Sequence, residues 1–95
     1  MTVTKTHHYT VGDADLDELL ARRTALITAV RAGYPGLTGI QLTRLEDGTF
    51  ADTWRWDTAE RMLAARPATE LPEARAAMSL VRDHTARNGE IVDER

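Results

Sequence analysis

Two tryptophans stand two residues apart in Asp52-Thr53-Trp54-Arg55-Trp56-Asp57-Thr58, just after an Asp47-Gly48 turn signal. On a strand, a period of two puts both rings on one face of the sheet. A chain of 95 residues that sets two large aromatics side by side must cover them. The possible covers are its own helices, a second copy of itself, or a flat aromatic ligand.

The rest of the chain supplies a small sheet and helices to lay on it. Val3 to Val11 reads as a strand rich in threonine, aromatic and β-branched residues. Val3, Lys5, His7, Tyr9 and Val11 lie on one side, and Thr4, Thr6, His8 and Thr10 on the other. Gly12 and Asp13 break it. Asp15 and Glu18 have the spacing of a capping box. Leu16, Leu19, Leu20, Ile27 and Val30 then recur at helical spacing until Gly33 and Pro35 end the helix. Arg22-Arg23 reads as its solvated face.

Thr38–Glu46 and Thr49–Asp57 form strands around Asp47-Gly48, a two-residue hairpin signal. That loop sets Leu42 opposite Thr53, Gln41 opposite Trp54 and Gly39 opposite Trp56. Gln41, Thr43, Phe50, Asp52, Trp54 and Trp56 then share one face. Ile40, Leu42, Arg44, Ala51, Thr53 and Arg55 share the other, so both faces carry apolar residues that need covering. Asp57 or Thr58 starts a second helix through Met62 that stops before Pro67. Pro72 opens a third, with Ala74, Ala77, Met78, Val81 and His84 on its inner side. Asn88-Gly89 turns the chain into a last strand, Glu90 to Asp93. The single domain over residues 1–95 has the order β-α-β-β-α-α-β. This is an α+β, ferredoxin-like antiparallel sheet with helices on one face, and two such sheets packed together make a homodimer.

Composition narrows the function. Twelve basic and fifteen acidic residues are interspersed for a net charge of −3, which leaves no basic stripe for nucleic acid. No apolar run approaches a membrane span, and the N-terminal residues lack the apolar core of a signal peptide, so the chain reads as cytoplasmic. With no cysteine there is no disulfide, thiolate metal site or cysteine nucleophile. No glycine-rich phosphate loop, nucleophile elbow or His/Asp/Glu ligand set is present, so the expectation is no metal and no cofactor.

Pro35-Gly36 after the first helix, the Asp47-Gly48 hairpin, and Arg55-Trp56-Asp57-Thr58 leading into Glu60 resemble the antibiotic biosynthesis monooxygenase family, over roughly Val3 to Asp93. The resemblance implies a dimeric α+β barrel with a cavity between sheet and helices in each subunit. In its best-understood members that cavity oxidises anthrones or hydroquinones with dioxygen, without metal or flavin. The second-helix histidine of many members is Ala65 here. The strand-one asparagine and second-helix tryptophan of the haem-degrading relatives are also absent, which disfavours haem degradation.

Cofactor-free oxygenation needs a proton acceptor, a dry aromatic slot and a donor for developing negative charge. Trp54, Trp56 and Phe50 are the candidate slot, with Gln41 and Thr43 to orient substrate oxygens. His84, His8 and Asp52 are the candidate acid–base residues, and Arg55 or Arg66 the oxyanion donor. The partners expected are a second copy of the chain and a small aromatic molecule. The alternative is a non-catalytic dimeric module that binds a small apolar ligand or is purely structural. An enzyme needs a titratable group reaching into an enclosed cavity. A binding module does not.

Overall fold

The computed structural model describes all 95 residues. Four strands, β1 (Val3–Val11), β2 (Leu37–Arg44), β3 (Phe50–Trp56) and β4 (Val81–Glu90), form one antiparallel sheet in the order β2-β3-β1-β4. Helices α1 (Leu16–Gly33), α2 (Ala59–Ala64) and α3 (Pro72–Met78) lie on one face, with a 3-10 turn at Arg66–Glu70 between the last two. This is the ferredoxin-like α+β fold. No helix is long and apolar enough to cross a membrane.

β1 spans the expected residues, and its pairing decides which side meets the core. Val3 lies opposite Trp56, Lys5 opposite Trp54 and His7 opposite Asp52, so the odd-numbered residues of β1 share the tryptophan face. Trp54 and Trp56 are covered by the chain's own helices. They pack with Val30 of α1, Met62 of α2, and Ala65 and Ala68 beyond it. Tyr9, Leu19, Phe50 and Ala77 form a second cluster at the other end of the sheet.

The β2–β3 register differs from the sequence expectation by one residue. Ile40 lies opposite Trp54, Gln41 opposite Thr53, Leu42 opposite Asp52 and Gly39 opposite Arg55. The hairpin loop has three residues, not two. The Leu45 amide donates to the Thr49 carbonyl at 2.8 Å, and Gly48 takes a φ of +86°. Asp47-Gly48 serves such a loop as well as a two-residue one, because glycine supplies the left-handed position in both. A one-residue slip exchanges the faces of the whole strand. Ile40 and Leu42 therefore pack inward, and Gln41 and Thr43 point outward. The outer face is left small and polar, carrying Thr4, Thr6, His8 and Thr10 of β1 beside Gln41, Thr43 and Thr53, so apolarity does not demand a cover there.

The second correction concerns the C-terminal third. α3 ends at Met78, and His84 sits on β4, a strand from Val81 to Glu90 that contains Asn88-Gly89 instead of turning at it. Val81 and His84, three residues apart, had the spacing of a helical face. They do reach the same face, but through a bulge. The β1–β4 register shifts between His8 and Thr10, and Asp83 takes a φ of +55°. The extra residue lets two side chains at odd separation point the same way. β4 escapes pattern reading because it is an exposed edge strand with almost no apolar residues.

The Asp15–Glu18 capping box does not form. Asp13–Asp15 make a 3-10 turn, the Asp15 side chain caps nothing, and Glu18 pairs with Arg22 at 2.9 Å. Thr58 does cap α2, accepting from the Arg61 amide at 3.1 Å. Gly36, with φ +106°, lies against α2 so closely that a Cβ there would stand 2.6 Å from Asp57 Oδ1. That contact and its backbone angle explain why glycine follows Pro35.

Candidate functional site

Between the sheet and the helices lies a cavity of about 290 Å³. Trp54 and Trp56 form its floor with Lys5, His7 and Tyr9 of β1. Leu26 and Val30 of α1, Met62 and Ala65 of the α2 segment, and Ala74 and Ala77 of α3 roof it. The lining residues that remain exposed, Arg66, Thr69, Met78 and His84, mark its mouth.

Of the residues singled out from sequence, Asp52, Trp54, Trp56, Arg66 and His84 line this cavity. Phe50 shares their face but is buried in the second cluster, stacked near Tyr9 and beneath the Arg44 guanidinium. His8, Gln41, Thr43 and Arg55 lie on the outer face, away from the cavity. His8 Nε2 meets Thr49 Oγ1 at 2.8 Å, and Arg55 pairs with Glu94. The β2–β3 register displaces Gln41 and Thr43, and strand alternation alone turns His8 and Arg55 away from the tryptophan face.

Asp52 is the centre of a buried network. Its Oδ2 accepts from the Tyr9 hydroxyl and from Arg23 Nε, both at 2.9 Å. Its Oδ1 accepts from Arg23 Nη2 at 2.8 Å and Trp54 Nε1 at 3.1 Å. Four donors occupy both oxygens, so the carboxylate is committed to this network. What it does is fix the plane of the Trp54 ring and hold the Tyr9 hydroxyl. Burial, the Asp52 charge and the hydrogen bond to Asp52 push the Tyr9 phenol far above its usual range, which keeps it a neutral donor. Burial works against the Arg23 charge, but the hydrogen bond and charge of Asp52 outweigh it and raise the guanidinium pKa further.

Arg23 was read as solvated, and the structure buries it. Leu19, Arg23, Leu26 and Val30 have the 4-3-4 spacing of a single helical face. A charge inside that stripe was the signal that an acid waits opposite. Arg22 does remain at the surface, where Nη1 donates to the Ala76 carbonyl at 2.9 Å at the end of α3.

His7 is the residue that sequence reasoning passed over. Its Nδ1 lies 2.8 Å from His84 Nε2, and the rings stack with centroids 5.0 Å apart. The sequence carries the signal: Val3, Tyr9 and Val11 make the odd side of β1 the core side, so His7 and not His8 faces inward. Burial, with help from neighbouring His84 and Lys5 and against the pull of Asp52, pushes His7 down to about 4. Burial and then Lys5 also lower His84. Both rings are therefore neutral at pH 7. Within the pair one ring donates and the other accepts. Whichever tautomer holds, one outer nitrogen, His7 Nε2 or His84 Nδ1, keeps a free lone pair. His7 is half-buried and His84 exposed, so the pair runs from the cavity to its mouth.

No group of three or more His, Asp or Glu side chains is arranged to hold a metal ion. No protein-family model matches the chain, and no curated protein does. Solved structures do match it over nearly its whole length. MhuD from Mycobacterium tuberculosis, a haem degrader solved with two haems in its active site, has 23% identity and a TM-score of 0.67, with 97% of each chain covered. SnoaB from Streptomyces nogalater, a cofactor-independent oxygenase, has 23% identity and a TM-score of 0.63, covering 99% of this chain and 94% of its own. A Caulobacter crescentus protein proposed to be an antibiotic biosynthesis monooxygenase has 16% identity and a TM-score of 0.71, covering 97% and 91%. At these identities the likeness establishes architecture: the chain has the ferredoxin-like α+β fold common to MhuD, SnoaB and the antibiotic biosynthesis monooxygenase structures.

Proposed function

We propose that this protein is a cofactor-independent oxygenase, which takes a planar quinol or aromatic polyketide-like substrate into the cavity and oxidises it with dioxygen. The observation that carries this reading is the hydrogen-bonded His7–His84 pair reaching into an apolar cavity floored by Trp54 and Trp56. A passive binding module has no need of neutral titratable groups at that position. The fold shared with SnoaB, a cofactor-independent oxygenase, supports the same reading.

The chemistry follows from the groups present. The flat substrate lies along the Trp54 and Trp56 rings, and Asp52 acts as a positioning residue through the Trp54 indole. The free nitrogen of the histidine pair accepts a proton from an activated substrate C–H, leaving an enolate. The enolate passes one electron to dioxygen, and the resulting radical and superoxide join as a peroxide anion. The imidazolium returns its proton to that anion, and the hydroperoxide loses water to leave a carbonyl. One oxygen atom stays in the product, and the other leaves as water with the two hydrogens of the oxidised carbon. The pairing of an inner with an outer histidine also gives a proton route to solvent.

The protein is proposed to work as a homodimer through the threonine-rich outer face, whose short side chains allow a second sheet to approach closely. Light scattering at micromolar concentration tests this, and a monomeric mass refutes it. The enzymatic reading is tested by dioxygen uptake with a hydroxyanthrone in the presence of a chelator. Uptake above the uncatalysed rate is expected, falling at least about a hundredfold in His7→Ala and in His84→Ala, the low end of what one positioned acid–base group supplies. Unchanged uptake in the double variant removes the histidine assignment. No uptake, with anthrones still quenching tryptophan fluorescence, identifies a binding module.

A further inference from the structure

The charge inside the cavity is not that of the protein. The chain carries a net −3, yet the only carboxylate lining the cavity is Asp52, which Arg23 neutralises through two hydrogen bonds. The histidine pair is neutral. What remains are two cations, Lys5 and Arg66, and neither side chain forms an ion pair or a hydrogen bond. Most of the other arginines are tied to a carboxylate. Lys5 is the only lysine of the chain. It stands beside Trp54 in the β1–β3 register, half-buried on the cavity floor, and Arg66 stands exposed at the mouth. An ammonium held at an apolar wall without a counterion is costly unless something arrives to pair with it.

We propose that the cavity is built for a planar aromatic carrying a carboxylate, which Lys5 binds with Arg66 closing over it from the mouth. Lys5 and Arg66 are then specificity-determining residues that choose acidic over neutral aromatics and fix which edge of the ring system faces His7. The inference rests on the reading of the cavity as an aromatic substrate site. It adds the sign and chemistry of the group at the substrate's edge. Lys5 is close enough to the histidines for its charge to help lower both. A carboxylate paired with Lys5 is therefore also close to the proton acceptor.

Binding, not turnover, is the test. Anthraquinone-2-carboxylate and its neutral analogue 2-(hydroxymethyl)anthraquinone are titrated into the full chain, with quenching of Trp54 and Trp56 fluorescence as readout. The acid is expected to bind at least about tenfold more tightly, the scale of one hydrogen bond between charged groups. Its affinity should weaken as salt rises. Lys5→Met and Arg66→Met should each reduce acid affinity and leave the neutral probe unchanged, which also reports that the cavity is intact. Lys5→Arg should restore acid binding. Equal binding of both probes, or acid affinity indifferent to both variants, overturns the charge assignment while leaving the aromatic site standing. Quenching by neither probe overturns the aromatic-site reading and this inference with it.

Discussion

The Asp52–Arg23 pair gives the sharpest energetic expectation. Asp52 is 5% exposed, and the pair's side chains are 14% and 7% exposed for Arg23 and Asp52. Replacing one member strands the other as a buried charge, a loss of about 3–5 kcal/mol. Asp52→Leu is therefore expected to lower stability by about 4 kcal/mol, and Arg23→Met by a similar amount. For a domain of this size that is a fall in Tm on the order of 20 °C. The double variant removes both charges together, leaving only the Tyr9 hydroxyl and Trp54 N–H without their acceptor, at about 1–3 kcal/mol each. Its cost of about 2–6 kcal/mol should fall short of the roughly 8 kcal/mol sum of the singles, so the cycle should give a coupling of at least about 2 kcal/mol. Urea denaturation followed by tryptophan fluorescence and by circular dichroism measures all four corners, with coincident transitions as the check on two-state behaviour. A double variant whose loss equals the sum of the singles within about 0.5 kcal/mol refutes the network.

Three further outcomes are expected. The His7 pKa, down from 6.5 to about 4, means that the unfolded chain protonates first as pH falls. His7 then contributes about 2 kcal/mol, allowing for partial exposure, that is intact above pH 6.5 and lost on falling toward pH 4. An NMR titration midpoint above 6 for the His7 ring contradicts this. Gly36→Ala sets a Cβ 2.6 Å from Asp57 Oδ1 and 2.9 Å from Arg61 Cβ at a φ of +106°. It should cost about 2 kcal/mol in urea, and a neutral result refutes the close packing of Pro35-Gly36 on α2. Asp83→Gly should be neutral or stabilising by up to about 1 kcal/mol, since it relieves a left-handed residue at φ +55°. A clear loss in thermal melts shows that Asp83 is held there by interactions beyond the bulge.

The sequence determined what local period and spacing encode. β1, α1 and the α2 cap at Thr58 follow from alternation, helical recurrence and capping chemistry. The tryptophans of β3 share a face because two residues apart on a strand admits nothing else. His7 and Arg23 were also legible, as polar residues set in the apolar faces of β1 and α1. Tertiary structure decided whatever depends on register. One extra residue in the Asp47-Gly48 loop sent Gln41 and Thr43 outward and brought Ile40 and Leu42 in. The bulge at Asp83 turned what looked like a helical face into an edge strand and carried His84 onto the cavity side. His7 and His84 meet across 77 residues of chain, and Asp52 gathers donors from β1, α1 and its own strand. No periodic signal specifies such meetings. They are fixed by which backbone groups pair between strands, and a shift of one residue in that pairing exchanges the faces.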